Sequence, residues 1–192
     1  GYALEIAHVN FELRGEDSFL DEESVRNWSE RNKLPFHLKR AGKVMKTGAG
    51  SLQEKARHFR YQWFENLAAE RGITHLVLAH HADDQAETIL LQFFRGAGID
   101  GLQGMKASSG LRRRPLLSFT KAELLSEATC KGIIWREDRS NKTDDYLRNR
   151  VRHQLIPLLS ELFPGFEKVL LRNAARMEHY AEGLEFLFGT LK

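Results

Sequence analysis

The chain has 192 residues, 42% hydrophobic and 29% charged, with 15 Gly, 4 Pro and the single cysteine Cys130; this is a globular composition that excludes collagen-like and low-complexity classes and any internal disulfide. Its formal net charge of +3 is unevenly spread, since residues 105–115 carry +4 and residues 139–153 carry +3, leaving −4 for the remainder; positive charge concentrated in this way points to a polyanionic partner. Charges break every apolar run short of the roughly 18 residues a membrane helix needs, and residues 1–6 lack the features of a signal peptide, so no membrane partner and a reducing, cytoplasmic setting are expected.

In chain order, residues 4–9 are apolar enough for a buried strand, and a helix is expected from Asp21 to Arg31 with Leu20, Val25 and Trp28 on one face. A second strand is expected at residues 35–38 and a mobile loop at residues 42–50. Ser51-Leu52-Gln53-Glu54 has the pattern of a capping box and opens a helix to about Arg71, stopped by Gly72. A third strand is expected at residues 75–79, then a helix from Asp83 to Arg95 whose Ile89, Leu90 and Phe93 face the core. Strand–helix alternation implies an α/β fold, a parallel sheet with helices on both faces. After Arg95 the glycines 96, 98, 101 and 104 suggest a flexible connection, and a second capping box, Thr120 to Glu123, starts a helix ending near Gly132. Helices are expected over residues 146–162 and 165–188, divided at Pro164-Gly165. The expected organisation is an α/β domain over residues 1–145 and an all-helical appendage over residues 146–192.

The richest segment for chemistry is His80-His81-Ala82-Asp83-Asp84-Gln85-Ala86-Glu87-Thr88, at a strand's carboxyl end and the next helix's first turn, where open parallel sheets gather ligands. Asp84, Glu87 and Thr88 stand three and four apart and project to one side; two carboxylates there could hold an ammonium group or a metal, though no particular metal is specified. Acids in a first turn also complement the helix dipole, which leaves the histidine pair and Glu87 without a role. Arg57 and Arg60 share a helix face where guanidinium forks could meet phosphate oxygens, and Asn10 and Arg14 follow the first strand toward the same sheet edge as His80. Arg148, Arg150 and Arg152 spread over a wide arc that suits a nucleic-acid backbone, and Tyr146 could stack on a base. Two literal motifs fail on context. Gly96-Ala97-Gly98-Ile99-Asp100-Gly101 follows a helix instead of a strand, and the loop from Gly42 to Ser51 lacks phosphate-loop order.

Taken together, Ala7-His8-Val9-Asn10, Leu13-Arg14-Gly15, Ser51-Leu52-Gln53-Glu54, Ala56-Arg57, Arg60-Tyr61, Ala79-His80-His81, Asp83-Asp84, Glu87-Thr88, Arg95-Gly96, Gly101-Leu102, Arg114-Pro115-Leu116-Leu117, Asp138, Ser140-Asn141 and Arg148-Asn149-Arg150-Val151-Arg152 resemble, in order, the tRNA(Ile)-lysidine synthases of the N-type ATP pyrophosphatase group. The resemblance spans roughly residues 4–158. It implies an adenine nucleotide alpha hydrolase-like fold and a ligase that uses ATP and Mg²⁺ to adenylate C2 of the wobble cytidine in the CAU anticodon of tRNA(Ile), free L-lysine then displacing AMP. It assigns Asp84 and Glu87 to lysine and, with Arg57, to catalysis; Asn10, His80, Arg57 and Arg60 to ATP; Arg112, Arg113, Arg114, Arg148, Arg150 and Arg152 to tRNA or the adenylate; and no residue to a resident metal. A homodimer is among the assemblies the family forms.

Two departures stand out. Phe11 occupies a place where the family commonly has histidine, and the family's Ser-Gly-Gly-x-Asp-Ser phosphate loop occurs nowhere in these residues. That loop is expected before Gly1, and the family's tRNA-binding domains after Lys192, so these residues alone are expected to show little or no ligase activity. A tRNA-thiolating enzyme of the same group and a noncatalytic RNA-binding fragment are the rival functions; the first usually uses cysteine pairs, and Cys130 stands alone.

Overall fold

In the computed structural model, which describes residues 2–42, 52–136 and 147–190, strands alternate with helices through the first half of the chain and helices close it. The Ser51 hydroxyl of the first capping box, the loop over residues 43–50, the Asp138, Ser140 and Asn141 motif and Tyr146 lie outside the described residues. The chain divides into two compact units, residues 1–76 and 77–192.

The first unit comprises β1 (Ile6–Asn10), α1 (Glu16–Arg31), β2 (Phe36–Arg40) and α2 (Leu52–Arg71). β1 and β2 pair in parallel, Ile6 opposite Phe36 and Asn10 opposite Arg40, with α1 as the crossover that parallel neighbours require. α1 begins at Glu16, earlier than the expected Asp21: Gly15 takes φ +53° there, and Glu16 and Asp17 complement the helix dipole in the first turn. Of its expected apolar face Leu20 and Val25 are half-buried, but the fully buried positions are polar. Ser18, Glu22 and Ser29 are the buried residues while Trp28 is 48% exposed, and buried polar groups need partners: the Ser29 hydroxyl donates to the Leu34 carbonyl at 2.6 Å, and Glu22 meets the cluster described below.

The second unit follows β3 (Leu76–Val77) with α3 (Ala82–Phe94), α4 (Ile99–Leu102), β4 (Ser108–Ser109), β5 (Arg112–Arg113), α5 (Lys121–Cys130), α6 (Leu147–Arg150), a π-helical turn (Val151–Leu155), α7 (Ile156–Leu162) and α8 (Phe166–Thr190). The expected glycine-rich connection instead holds α4, and an antiparallel β4–β5 hairpin follows it, giving the strand order β3-β5-β4. Each hairpin strand is two residues long, too short for an alternating pattern to declare itself. α3 packs on α4 and α8, and Ala82, Ala86, Ile89 and Leu90 of α3 are buried, as are Ala174 and Ala181 of α8. Phe93, expected in the core, is 61% exposed: the packed face of α3 ends at Leu90, and Phe93 lies edge-on to Phe94 in the last turn. The helix expected over residues 146–162 is interrupted because Pro157 has no N–H to give the carbonyl four residues back; Ile156 N–H reaches instead to the Val151 carbonyl, a π-type bond. Among the described residues no helix is long and apolar enough to cross a membrane.

Candidate active site

In the second unit the first turn of α3 is fastened by its own acids. Extended backbone at His81 starts the helix, the His81 N–H donates to Asp84 Oδ2 at 3.1 Å, and the Thr88 hydroxyl donates to the Asp84 carbonyl at 2.7 Å. Asp83 faces another way, its Oδ2 accepting the Lys121 N–H at 2.8 Å and so capping α5, whose own box of Thr120 and Glu123 is formed as expected. His81 lies between both acids, 3.2 Å from Asp83 and 3.4 Å from Asp84.

Arg148 and Arg152 converge on this turn. Arg148 Nε donates to Glu87 Oε2 at 2.6 Å and Arg152 Nε to Glu87 Oε1 at 2.5 Å, while their Nη2 atoms stand 3.2 and 3.4 Å from Asp84 Oδ1. Two carboxylates thus face two guanidinium groups, formally neutral as a quartet. Glu87 has no exposed surface and Asp84 retains 16% of its side chain exposed. Burial by itself lowers the pKa of Arg152, but the Glu87 hydrogen bond and the charges of Glu87, Asp84 and Asp83 outweigh it, and the net shift is upward. The arc expected of the three arginines therefore resolves into two sides, with Arg148 and Arg152 turned onto acids and Arg150 exposed. His80 is half-buried just before α3.

The remaining residues expected to meet tRNA differ among themselves. Arg112 and Arg113 form β5, half-buried, with Arg113 Nη1 donating to the Gly110 carbonyl at 2.6 Å. Arg114 is buried and donates to the Lys106 carbonyl at 2.6 Å. Gln85 braces the same region from α3, accepting the Met105 N–H at 2.7 Å and donating to the Met105 carbonyl at 3.1 Å. Nothing local marks Gln85 for this role, since its partners lie about twenty positions away.

In the first unit Asn10 is buried at the end of β1. Its amide donates to Glu22 Oε2 at 2.9 Å and its carbonyl oxygen accepts the Glu12 N–H at 2.8 Å, holding Glu12 at φ +55°. Glu22, absent from the expected site, also accepts from Arg40 at 2.8 and 3.1 Å and from Arg26 at 3.2 Å. Arg57 and Arg60 are exposed on α2, Arg57 over the Tyr61 ring at 5.0 Å and Arg60 over the Phe11 ring at 5.3 Å.

Comparison with known proteins places these features in a family. The PP-loop domain family matches residues 1–159. The chain is 40% identical over 98% of its length to a tRNA(Ile)-lysidine synthase of Exiguobacterium sibiricum, covering 45% of that protein. It is 38% identical over 95% of its length to a tRNA(Ile)-lysidine synthase of Chlorobaculum tepidum, covering 55%. It thus spans about half the length of the curated relatives it matches. Among solved structures, the U34-tRNA thiolase NcsA from Methanococcus maripaludis with its 4Fe–4S cluster superposes with a TM-score of 0.71 over 91% of this chain and 61% of that one, at 16% identity, a likeness of fold.

Proposed function

Since the chain belongs to the PP-loop domain family, we propose that it is the catalytic portion of a tRNA(Ile)-lysidine synthase, acting in the cytoplasm. Supporting this is the similarity to such enzymes across nearly the whole chain, and the single geometric observation that favours it is the acid pair Asp84 and Glu87 in the first turn of α3. In the proposed reaction the C2 oxygen of the wobble cytidine attacks the α-phosphorus of ATP, an O–P bond forms and pyrophosphate leaves. The side-chain amine of free lysine then adds at C2, gives up its proton and expels AMP.

Capturing and deprotonating an ammonium group calls for carboxylates. Glu87 keeps the short hydrogen bonds to both arginines, so it supplies buried counter-charge; Asp84, more open and at longer range from the guanidinium groups, is where the lysine ammonium displaces a weaker pairing. Arg57 and Arg60 are assigned to the ATP phosphates, where cations offset developing charge, and His80 to the nucleotide. Asn10 serves ATP through the turn it fixes at Glu12. Arg112, Arg113 and Arg150 are assigned to tRNA phosphates. Mg²⁺ is assigned to the phosphates of ATP, since that ion keeps several waters and is usually bound through one or two carboxylates together with substrate phosphates.

The test is ATP-dependent transfer of labelled lysine to a tRNA(Ile) transcript with a CAU anticodon by the full-length protein. Lysine incorporation with pyrophosphate release is expected, and Asp84→Asn weakens lysine use while leaving adenylation largely intact. Labelled sulfur entering the tRNA in place of lysine puts a thiolating enzyme in its stead, and binding without transfer of either leaves an RNA-binding module.

A further inference from the structure

We propose that Phe11 and Tyr61 are positioning residues, aromatic shelves that hold Arg60 and Arg57 as an un-neutralised cationic pair for the phosphates of ATP; this rests on the assignment of those arginines to ATP. A contrast within the molecule carries it. Arg14, Arg26, Arg40, Arg71, Arg148 and Arg152 each meet a carboxylate. Arg26 and Arg40 lie over the Phe36 and Phe19 rings as well as on Glu22, whereas Arg57 and Arg60, among the described residues, lie over a ring and meet no carboxylate. A carboxylate fixes a guanidinium group and cancels its charge, whereas the face of a ring fixes it through the quadrupole and leaves the charge whole.

The shelf under Arg60 is itself built to be rigid. Phe11 lies edge-on to Phe59 with ring centroids 6.2 Å apart. It sits between Asn10, which is buried, and Glu12, whose backbone Asn10 holds by a hydrogen bond. The two guanidinium groups come from positions three apart on α2, so they repel each other. Burial of its guanidinium end lowers the Arg60 pKa, the nearby Tyr61 raises it, and the Arg57 charge lowers it further. Two cations kept close without a counter-ion are relieved by an anion that bridges them, and a triphosphate has the charge and span to do so. A histidine in place of Phe11 would present a ring of weaker π character that can itself become charged, so the phenylalanine is a gain in shelf rather than a plain loss of polarity.

The experiment is calorimetric titration of ATP into the full-length protein without tRNA or lysine, repeated across salt concentrations. Phe11→Leu is expected to raise the ATP Kd about two- to fivefold and to leave the thermal midpoint nearly unchanged, with Phe11→Tyr restoring wild-type affinity. Tyr61→Leu, at a half-buried position of α2, reports the same effect through Arg57 and serves if Phe11→Leu does not fold. If Arg60→Gln and Arg57→Gln weaken ATP while both Leu variants bind as wild type, the shelves have no positioning role. If the Gln variants also leave ATP affinity unchanged, it is the assignment of α2 to ATP that falls.

Discussion

Arg152 donates its Nε–H to Oε1 of Glu87 at 2.5 Å across 65 positions of sequence, onto a carboxylate with no exposed surface. Arg148 arrives at the other oxygen of the same carboxylate. A buried ion pair of this kind contributes little net stability compared with an apolar substitute, but removing one partner leaves charge without compensation.

Glu87→Gln is therefore expected to destabilise the protein by about 3 kcal/mol or more, read from urea denaturation. Adding Arg152→Met in that background recovers part of the loss. Simple additivity of the two substitutions in a double-mutant cycle would remove the coupling claimed for the quartet.

Asn10→Ala removes two hydrogen bonds at once, a buried one to Glu22 and a partly buried one from the Glu12 N–H. Glu22 keeps its bonds from Arg40 and Arg26, so the Glu12 N–H is the group left unsatisfied, and a loss of about 1–3 kcal/mol is expected. Asn10→Asp is expected to be worse, because it places a second negative charge 2.9 Å from the Glu22 carboxylate. Equal stability of the two variants in chemical denaturation argues against that repulsion.

The same cluster predicts an acid response. The Arg40 hydrogen bond, with help from Asn10 and Arg26 and against burial, holds the Glu22 carboxyl at about 2. A carboxylate whose folded pKa lies below its ordinary 4.5 stabilises the fold fully above that pH, and its contribution disappears as the pH falls toward 2. Arg40→Gln removes the largest cause, so stability should begin to decline at a higher pH; an unmoved acid-unfolding profile rules out Arg40 as that cause. His8 acts with the same sign near neutrality: burial holds its pKa below 6.5, partly offset by Glu22, so stability falls as the pH drops below 6.5. Its imidazole resonances should titrate below that value.

For nucleic acid, Arg150→Glu and Arg112→Glu are expected to weaken tRNA binding and to flatten its dependence on salt, by about one counterion for each phosphate no longer neutralised. Arg114 is buried on the Lys106 carbonyl, so Arg114→Gln should lower thermal stability. A salt slope that drops with Arg114→Gln and holds with the two reversals would exchange these roles.

Gly104 lies at φ +72°, and a Cβ there would stand 2.7 Å from the Gln85 carboxamide. Gly104→Ala combines backbone strain with displacement of the group that braces Met105, and a loss of about 1–3 kcal/mol is expected. If Gln85→Ala in the same chain relieves the strain, the double variant will be more stable than additivity allows.

Much of the fold was legible because its causes are local. Strand–helix alternation, the Thr120–Glu123 box and the stop at Gly72 depend on residues a few positions apart, and they stand where periodicity and capping put them. Three features were not legible. The polar face of α1 depends on Glu22 finding Asn10 and Arg40 from other elements. Phe93 fitted the helical period but fell beyond the packed part of α3, and the β4–β5 hairpin was too short to show a pattern.

At the candidate site the sequence by itself determined the inventory: the two imidazoles and three acids between a strand and a helix, the arginine pairs, and the ordered motifs of a PP-loop family. The tertiary structure alone decided which charges are already answered. Arg148 and Arg152 face acids 61 and 65 positions away, whereas Arg57 and Arg60 face rings. Neutralisation depends on separation in space, and neither periodicity nor charge count along a chain encodes which distant side chain will come within hydrogen-bonding distance.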